Sequence, residues 1–76
     1  MVTTNRLEIG AVVVCGDGKK IGTVKEVASD RFKVERRLLP DFWLANEYVD
    51  YVSEGLVQMV LTKDGIGAAR VGAPGH

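Results

Sequence analysis

The stretch Gly16-Asp17-Gly18-Lys19-Lys20-Ile21-Gly22-Thr23-Val24-Lys25-Glu26-Val27-Ala28 decides the fold of this chain. It follows the apolar run Ala11–Cys15 and leads into a second apolar segment, so it predicts the turn and return strand of a β-hairpin. A chain that reverses direction within a few residues needs a backbone with positive φ, which glycine adopts freely and aspartate tolerates. The hairpin indicates a small all-β domain and gives no indication of a reaction.

Several more short strands are predicted along the chain. In Lys20–Ala28 the apolar residues lie three apart, which favours a bulged or twisted strand over the alternative, a short helix. The segment Arg31–Arg37 alternates between apolar and charged side chains, as a half-buried strand does. Pro40 should interrupt the following ladder because it donates no hydrogen bond, and Asn46 should cap one helical turn. The remaining strands are predicted at Phe42–Ala45, Tyr51–Val52 and Leu56–Thr62.

Five to six short antiparallel strands at this spacing predict a small barrel or sandwich that closes on itself. The chain has 76 residues, which is enough for one domain. We expect a polar lead-in over residues 1–6, a folded domain over residues 7–62 and a flexible tail over the Gly/Ala-rich residues 63–76.

Charge argues against a dedicated nucleic-acid module, because ten basic residues balance ten acidic ones. The distribution is uneven. Residues 19–37 hold seven basic and three acidic residues, a balance of +4, and residues 38–54 hold four acidic residues and no basic one, a balance of −4. Either neighbouring strands pair these charges across the sheet, or the surface is dipolar and suits head-to-tail self-association or a charged partner.

The residues that catalysis or metal binding would need are scarce, so we expect a non-catalytic protein without metal or cofactor. The only histidine, His76, ends the chain, and the only cysteine, Cys15, lies in a valine run where a buried small hydrophobe is more common than a reactive thiol. No stretch is long enough to span a membrane, and the N-terminal residues do not resemble a signal peptide. We therefore expect a cytoplasmic protein without membrane insertion.

The segment from Arg36 to Trp43 is the best candidate for a binding site. Neighbouring strand residues point to opposite faces, so Phe42 and Trp43 should not both face the core, and Leu38 and Leu39 pose the same problem within a loop. Apolar groups exposed beside arginines are typical of a contact surface, whereas the structural alternative is that both aromatic residues close the core. The predicted protein-interaction residues are Arg36, Arg37, Leu38, Leu39, Phe42 and Trp43.

A second hypothesis is a barrel that associates with RNA or the ribosome. Basic side chains beside an aromatic pair can bind phosphates while the rings stack on bases. The residues for this role are Arg31, Lys33, Arg36 and Arg37.

Residues 7–62 resemble the PRC-barrel superfamily, in particular a branch of small stand-alone prokaryotic members. The resemblance lies in Asp17–Val27, in the strand Phe32-Lys33-Val34, in the Leu-Leu-Pro loop with Phe42–Ala45, and in Tyr48–Val52. It implies a six-stranded barrel of SH3-like size that serves as a non-catalytic adaptor, with no shared catalytic residues to transfer. Separately from the resemblance, we expect the interaction module to self-associate through the segment from Arg36 to Trp43. Ala45 departs from the pattern, because relatives often carry proline there.

Overall fold

The computed structural model describes residues 7–74, which form seven strands and two short 3₁₀ helices. The strands are β1 (Val12–Val14), β2 (Lys20–Val27), β3 (Arg31–Arg36), β4 (Leu39–Ala45), β5 (Val49–Ser53), β6 (Leu56–Met59) and β7 (Arg70–Val71). The 3₁₀ helices are Asn46–Tyr48 and Ile66–Ala69. The expected lead-in over residues 1–6 and the terminal His76 lie outside the described residues. No helix within residues 7–74 has the length and apolarity to cross a membrane.

The seven strands form one open mixed sheet in the order β5-β6-β1-β2-β3-β4-β7. The all-β class is confirmed, but the expectation of a closed antiparallel barrel with five to six strands is corrected in two respects. First, β1 pairs with β6 in parallel, with Val13 opposite Val57, whereas the other pairs are antiparallel. Second, β5 and β7 are the two edges of the sheet, so the ladder does not close.

The β1–β2 hairpin forms where the opening stretch predicts it. Gly18 has φ of +86°, a conformation that glycine adopts without strain. Register shifts between Val13 and Val14 and between Val24 and Glu26 show that β2 is a bulged strand, so the helical alternative is wrong. Gly22 allows the neighbouring strand to approach closely, because a Cβ there would lie 2.5 Å from the Glu35 carbonyl oxygen.

The core lies on one face of the sheet and is built from alternate strand residues. On β3 the side chains of Phe32 and Val34 are fully buried, and on β4 those of Phe42 and Leu44 are buried. The other buried hydrophobic residues are Ala11, Val13, Cys15, Val24, Val57, Met59 and Ala69. Within residues 7–74 no polar or charged residue is buried, so the hydrophobic effect stabilises this interior without buried ion pairs.

Two local predictions at the ends of β4 are wrong. β4 begins at Leu39 rather than at Phe42, so Pro40 lies inside the strand. The expected interruption of the ladder at Pro40 takes the form of a shift in the β3–β4 register, where no amide donor is needed. The residue before the first 3₁₀ helix is Ala45, with no side-chain cap, and Asn46 instead donates its Nδ2–H to the Ser29 carbonyl oxygen at 3.4 Å.

The folded unit extends beyond residue 62. The helix Ile66–Ala69 leads into β7, whose Val71 lies opposite Trp43, and Ala69 is fully buried. A segment of small residues was expected to be a flexible tail because it lacks large apolar side chains. The segment is nevertheless folded, because Arg70 and Val71 pair with β4 and Ala69 is buried in the core.

Candidate interaction surface at the β3–β4 hairpin

The tip of the β3–β4 hairpin is the most exposed apolar feature of the described residues. Arg37 and Leu38 connect the two strands, between the paired residues Arg36 and Leu39. The Leu38 side chain is 93% exposed and that of Leu39 is 56% exposed. We call Arg36, Arg37, Leu38, Leu39 and Phe42 the hairpin-tip surface.

The backbone of Leu38 adopts the left-handed conformation, with φ of +63°. Leu38 is the third residue of the four-residue β-turn that runs from Arg36 to Leu39. Positive φ at this position normally selects glycine or asparagine, because a Cβ crowds the following carbonyl oxygen. This conformation costs an ordinary L-residue about 1–2 kcal/mol. Leu38 gains almost nothing from burial to offset that cost.

Beneath the tip, Arg36 is held in place by two interactions. Its Nε–H and Nη2–H groups donate to the Pro40 carbonyl oxygen at 3.3 and 3.0 Å, and its guanidinium carbon lies 4.6 Å from the centroid of the Phe42 ring. The guanidinium carbon of Arg70 lies 4.9 Å from the same centroid. The buried ring of Phe42 therefore supports two cations, as expected for cation–π contacts.

A groove of about 370 Å³ lies next to the tip and combines positive charge with apolar surface. Its basic lining residues are Lys20, Arg36, Arg37 and Lys63. Its apolar lining residues are Ile21, Leu39, Phe42 and Ile66. No carboxylate lines it, and none of its four cations forms an ion pair with another residue between 7 and 74. We call it the basic groove, and it suits a group that carries negative charge on an apolar body.

Trp43 lies apart from the other predicted interaction residues. It alternates with buried Phe42 and Leu44 on β4, so it points to the outer face of the sheet, where it is half-buried. Its ring centroid is 5.9 Å from Nζ of Lys33, the residue opposite it on β3. Of the six predicted residues, the structure brings five together at the tip and places Trp43 on the other face of β4.

The outer face of β2, β3 and β4 carries cross-strand ion pairs. Lys25 Nζ lies 3.1 Å from a carboxylate oxygen of Asp41 and 4.0 Å from one of Glu35. Lys33 Nζ lies 3.3 Å from Glu26 and 3.9 Å from Asp41. The hydrogen bond to Asp41 and the charge of that carboxylate raise the pKa of Lys25. On this face the opposite charges compensate one another.

The four residues predicted for RNA binding do not form one patch. Arg31 pairs with Asp30 at 2.9 Å and donates to the Gly72 carbonyl oxygen at 2.8 Å. The hydrogen bond from the Arg31 side chain lowers the pKa of Asp30. Lys33 pairs with carboxylates, as described above. Arg36 and Arg37 belong to the hairpin tip. Arg36 lies five positions after Arg31 on β3, roughly 16 Å along the strand.

Four residues of this end of the sheet carry no signal in the sequence that connects them with the hairpin tip. Lys20 and Arg36 are 16 positions apart, and Lys63, Ile66 and Arg70 lie in the segment expected to be a tail. Arg70 and Val71 pair with β4, so this segment lies beside the tip. Lys63 and Ile66 line the groove, and Arg70 lies over Phe42. The adjacent lysines Lys19-Lys20, directly before an apolar strand, are the only local indication that could have been used.

The single cysteine is a core residue. Cys15 is fully buried and free, and burial, with a further contribution from the charge of Asp17, raises the pKa of its thiol. Among residues 7–74 there is no group of three or more His, Cys, Asp or Glu side chains that could hold a metal ion.

The family of the chain follows from residues 8–66, which match the model of a family described as "Uncharacterized protein conserved in bacteria (DUF2171)". The chain belongs to this family. The matched segment contains the hairpin-tip surface and, at its end, the groove residues Lys63 and Ile66. No curated protein and no solved structure matches the chain.

Proposed function

We propose that this protein is a non-catalytic protein-interaction module whose contact surface is the hairpin-tip surface with the adjoining basic groove. The observation that carries the proposal is Leu38, which is 93% exposed and holds a left-handed backbone conformation. A strained, exposed leucine contributes nothing to folding that asparagine or glycine would not provide better, so its presence favours a role in binding. Arginines beside it strengthen the argument, because arginine is enriched at binding hot spots.

The PRC-barrel resemblance of residues 7–62 supports the same proposal, since it implies a small adaptor without shared catalytic residues. We include a cytoplasmic location and the ability to self-associate in this proposal. The buried free thiol of Cys15 is compatible with a reducing compartment.

Trp43 takes a lesser place in this proposal than it has in the sequence-based hypothesis. It is half-buried on the outer face and already contacts Lys33, whereas Leu38 contacts solvent. RNA binding is less favoured, because Arg31 and Lys33 form ion pairs with carboxylates. Only the cations of the basic groove would then contact phosphates.

The test is affinity capture from native bacterial lysate, with and without nuclease, by the wild-type chain and two variants. Leu38→Asn removes the apolar tip and relieves the backbone, so it should remain folded. Tyr51→Thr is the matched control, because Tyr51 is also exposed, at 50%, but lies on β5 at the opposite edge of the sheet.

We expect the wild type and Tyr51→Thr to retain the same protein, either another protein or a further copy of the chain, after nuclease treatment. Leu38→Asn should retain at least about tenfold less, the effect of losing one hot-spot side chain. Equal capture by Leu38→Asn and the wild type would overturn the proposal. Capture that disappears with nuclease would assign the surface to RNA instead.

A further inference from the structure

We infer that the occupant of this surface is a second copy of the chain, bound head to tail. The hairpin-tip surface and basic groove of one copy would contact the opposite end of the sheet in the next copy. This inference rests on the proposed function and names the partner of that same surface.

The cations without ion pairs are concentrated at the groove end of the sheet. Between residues 7 and 74 there are nine basic side chains, three of which form ion pairs, so six do not. These six are Lys19, Lys20, Arg36, Arg37, Lys63 and Arg70. Four of them line the basic groove and Arg70 lies over Phe42 beside it. Asp17, which accepts backbone N–H groups of Lys19 and Lys63, reduces this positive charge without balancing it.

A complementary surface lies at the far end of the β1–β2 hairpin. Val14 pairs with Lys20 at the groove end of the hairpin. At the other end, the Gly10 amide donates to the Val24 carbonyl oxygen at 2.7 Å. Val24 lies four positions after Lys20 on β2, roughly 13 Å along the strand. The turn closed by the hydrogen bond from the Ala11 amide to the Glu8 carbonyl oxygen carries Ile9 at this far end.

The β5–β6 turn reaches the same end. The Val12 amide donates to the Gly55 carbonyl oxygen at 2.9 Å, which brings Glu54 alongside β1. Ile9 is 71% exposed, and Glu8 and Glu54 are exposed and form no ion pair within the described residues. We call Glu8, Ile9 and Glu54 the far-end surface.

The two surfaces are complementary in both charge and polarity. Exposed leucines beside unpaired cations at one end match an exposed isoleucine beside unpaired carboxylates at the other. A second copy offers an aliphatic side chain for the exposed leucines together with carboxylates for the cations, whereas the bases of RNA stack best on aromatic rings, and Trp43 lies on the other face of β4. Because the contact joins two different surfaces, it is heterologous and can continue beyond a dimer into a ring or a linear chain.

The first measurement is sedimentation velocity of the wild-type chain from about 10 to 500 µM, at low and at high salt. We expect the average mass to rise with concentration beyond that of a dimer at low salt, and to return toward the monomer at about 0.5 M NaCl, where exposed charges are screened. A wild type that stays monomeric over this range at low salt would overturn the inference.

Two variants then test the head-to-tail arrangement. Arg37→Glu with Lys63→Glu lowers the formal charge of the groove from +4 to 0. Ile9→Asn with Glu54→Gln removes the apolar side chain and one of the two carboxylates of the far-end surface. Each variant alone should associate at least about tenfold more weakly than the wild type. A mixture of the two should form a 1:1 heterodimer and no larger species, because only one native contact can form between an intact groove and an intact far end. Failure of the mixture to associate would contradict the arrangement.

Asp50→Lys is the matched control, because Asp50 is exposed and without an ion pair within the described residues but lies on β5, outside the far-end surface. It should associate like the wild type. The two proposals fail separately: a monomeric wild type that still captures another protein through Leu38 refutes only the head-to-tail inference. Capture that is insensitive to Leu38→Asn refutes the proposed function.

Discussion

Replacing Leu38 with asparagine should stabilise the protein, although the residue is the most exposed apolar side chain at the candidate site. Asparagine tolerates the left-handed conformation that Leu38 adopts at φ of +63°, because its short polar side chain can hydrogen-bond locally. The substitution thus separates the conformational cost of the turn from any contribution of the side chain to packing.

The magnitude follows from two quantities. The left-handed conformation costs an ordinary L-residue about 1–2 kcal/mol, of which asparagine should recover roughly half to most. Full burial of a leucine is worth about 1.5–3 kcal/mol, but Leu38 is 93% exposed, so its remaining contact is worth about 0.1–0.2 kcal/mol. We expect the free energy of unfolding to rise by about 0.5–1 kcal/mol.

The assay is urea unfolding of the wild type, Leu38→Asn and Leu38→Ala, supported by thermal unfolding. One kcal/mol corresponds to a shift of about 4–8 °C for a domain of this size. Alanine is the control, because it removes the apolar tip but keeps the Cβ and therefore the strain, so its stability should stay within about 0.5 kcal/mol of the wild type. A loss of stability of 1 kcal/mol or more in Leu38→Asn would refute the reasoning, since it would mean that the leucine packs.

Three further predictions concern the hairpin, the thiol and the loss of stability at low pH. Gly22→Ala should lower the free energy of unfolding by about 1–3 kcal/mol in urea titrations, because its Cβ would meet the backbone of the neighbouring strand, whereas Gly67→Ala, with open space around it, should change it by less than about 0.5 kcal/mol. Equal effects would show that the close approach is absent. Cys15 should react with a thiol reagent at least about 100-fold more slowly in the native protein than in urea, because it is fully buried and its pKa is raised; fast native labelling would contradict this position. The hydrogen bond from Arg31 lowers the pKa of Asp30 below its ordinary value of 3.8, so the pair stabilises the fold above that pH and the contribution is lost as the pH falls through the lowered value. Unfolding midpoints measured between about pH 2 and 6 should therefore fall more steeply for the wild type than for Asp30→Asn, and parallel curves would count against the pairing.

Local pattern predicted a good part of the fold. The alternation of Phe32 and Val34 with charged residues placed β3 correctly. The same rule predicted that Phe42 and Trp43 lie on opposite faces, and only the structure shows that Phe42 is the buried one. The start of β4 and the Gly/Ala-rich segment were misjudged because both depend on non-local contacts. A shift in the β3–β4 register accommodates Pro40 inside β4, and the pairing of Arg70 and Val71 with β4 creates the seventh strand.

The sequence predicted the hairpin-tip part of the candidate site but not the basic groove. The segment from Arg36 to Phe42 is contiguous, and its combination of arginines with exposed leucines could be recognised. The basic groove could not be found in this way, because Lys20 and Lys63 reach it from two distant segments. The sequence also did not show which lysines form ion pairs. Lys25 and Lys33 pair with carboxylates and Lys20 does not, and only the structure distinguishes them.

The sequence by itself determined what depends on neighbours along the chain: an all-β domain, the glycine turn at Gly18, the buried thiol of Cys15 and the alternation of faces along β3. These follow from the two-residue period of a strand and from the conformations open to glycine. The tertiary structure alone decided the parallel pairing of β1 with β6, the incorporation of residues 66–71 and the assembly of the basic groove. Each of these joins residues far apart in sequence, and strand order and long-range packing are set by how the whole core is filled.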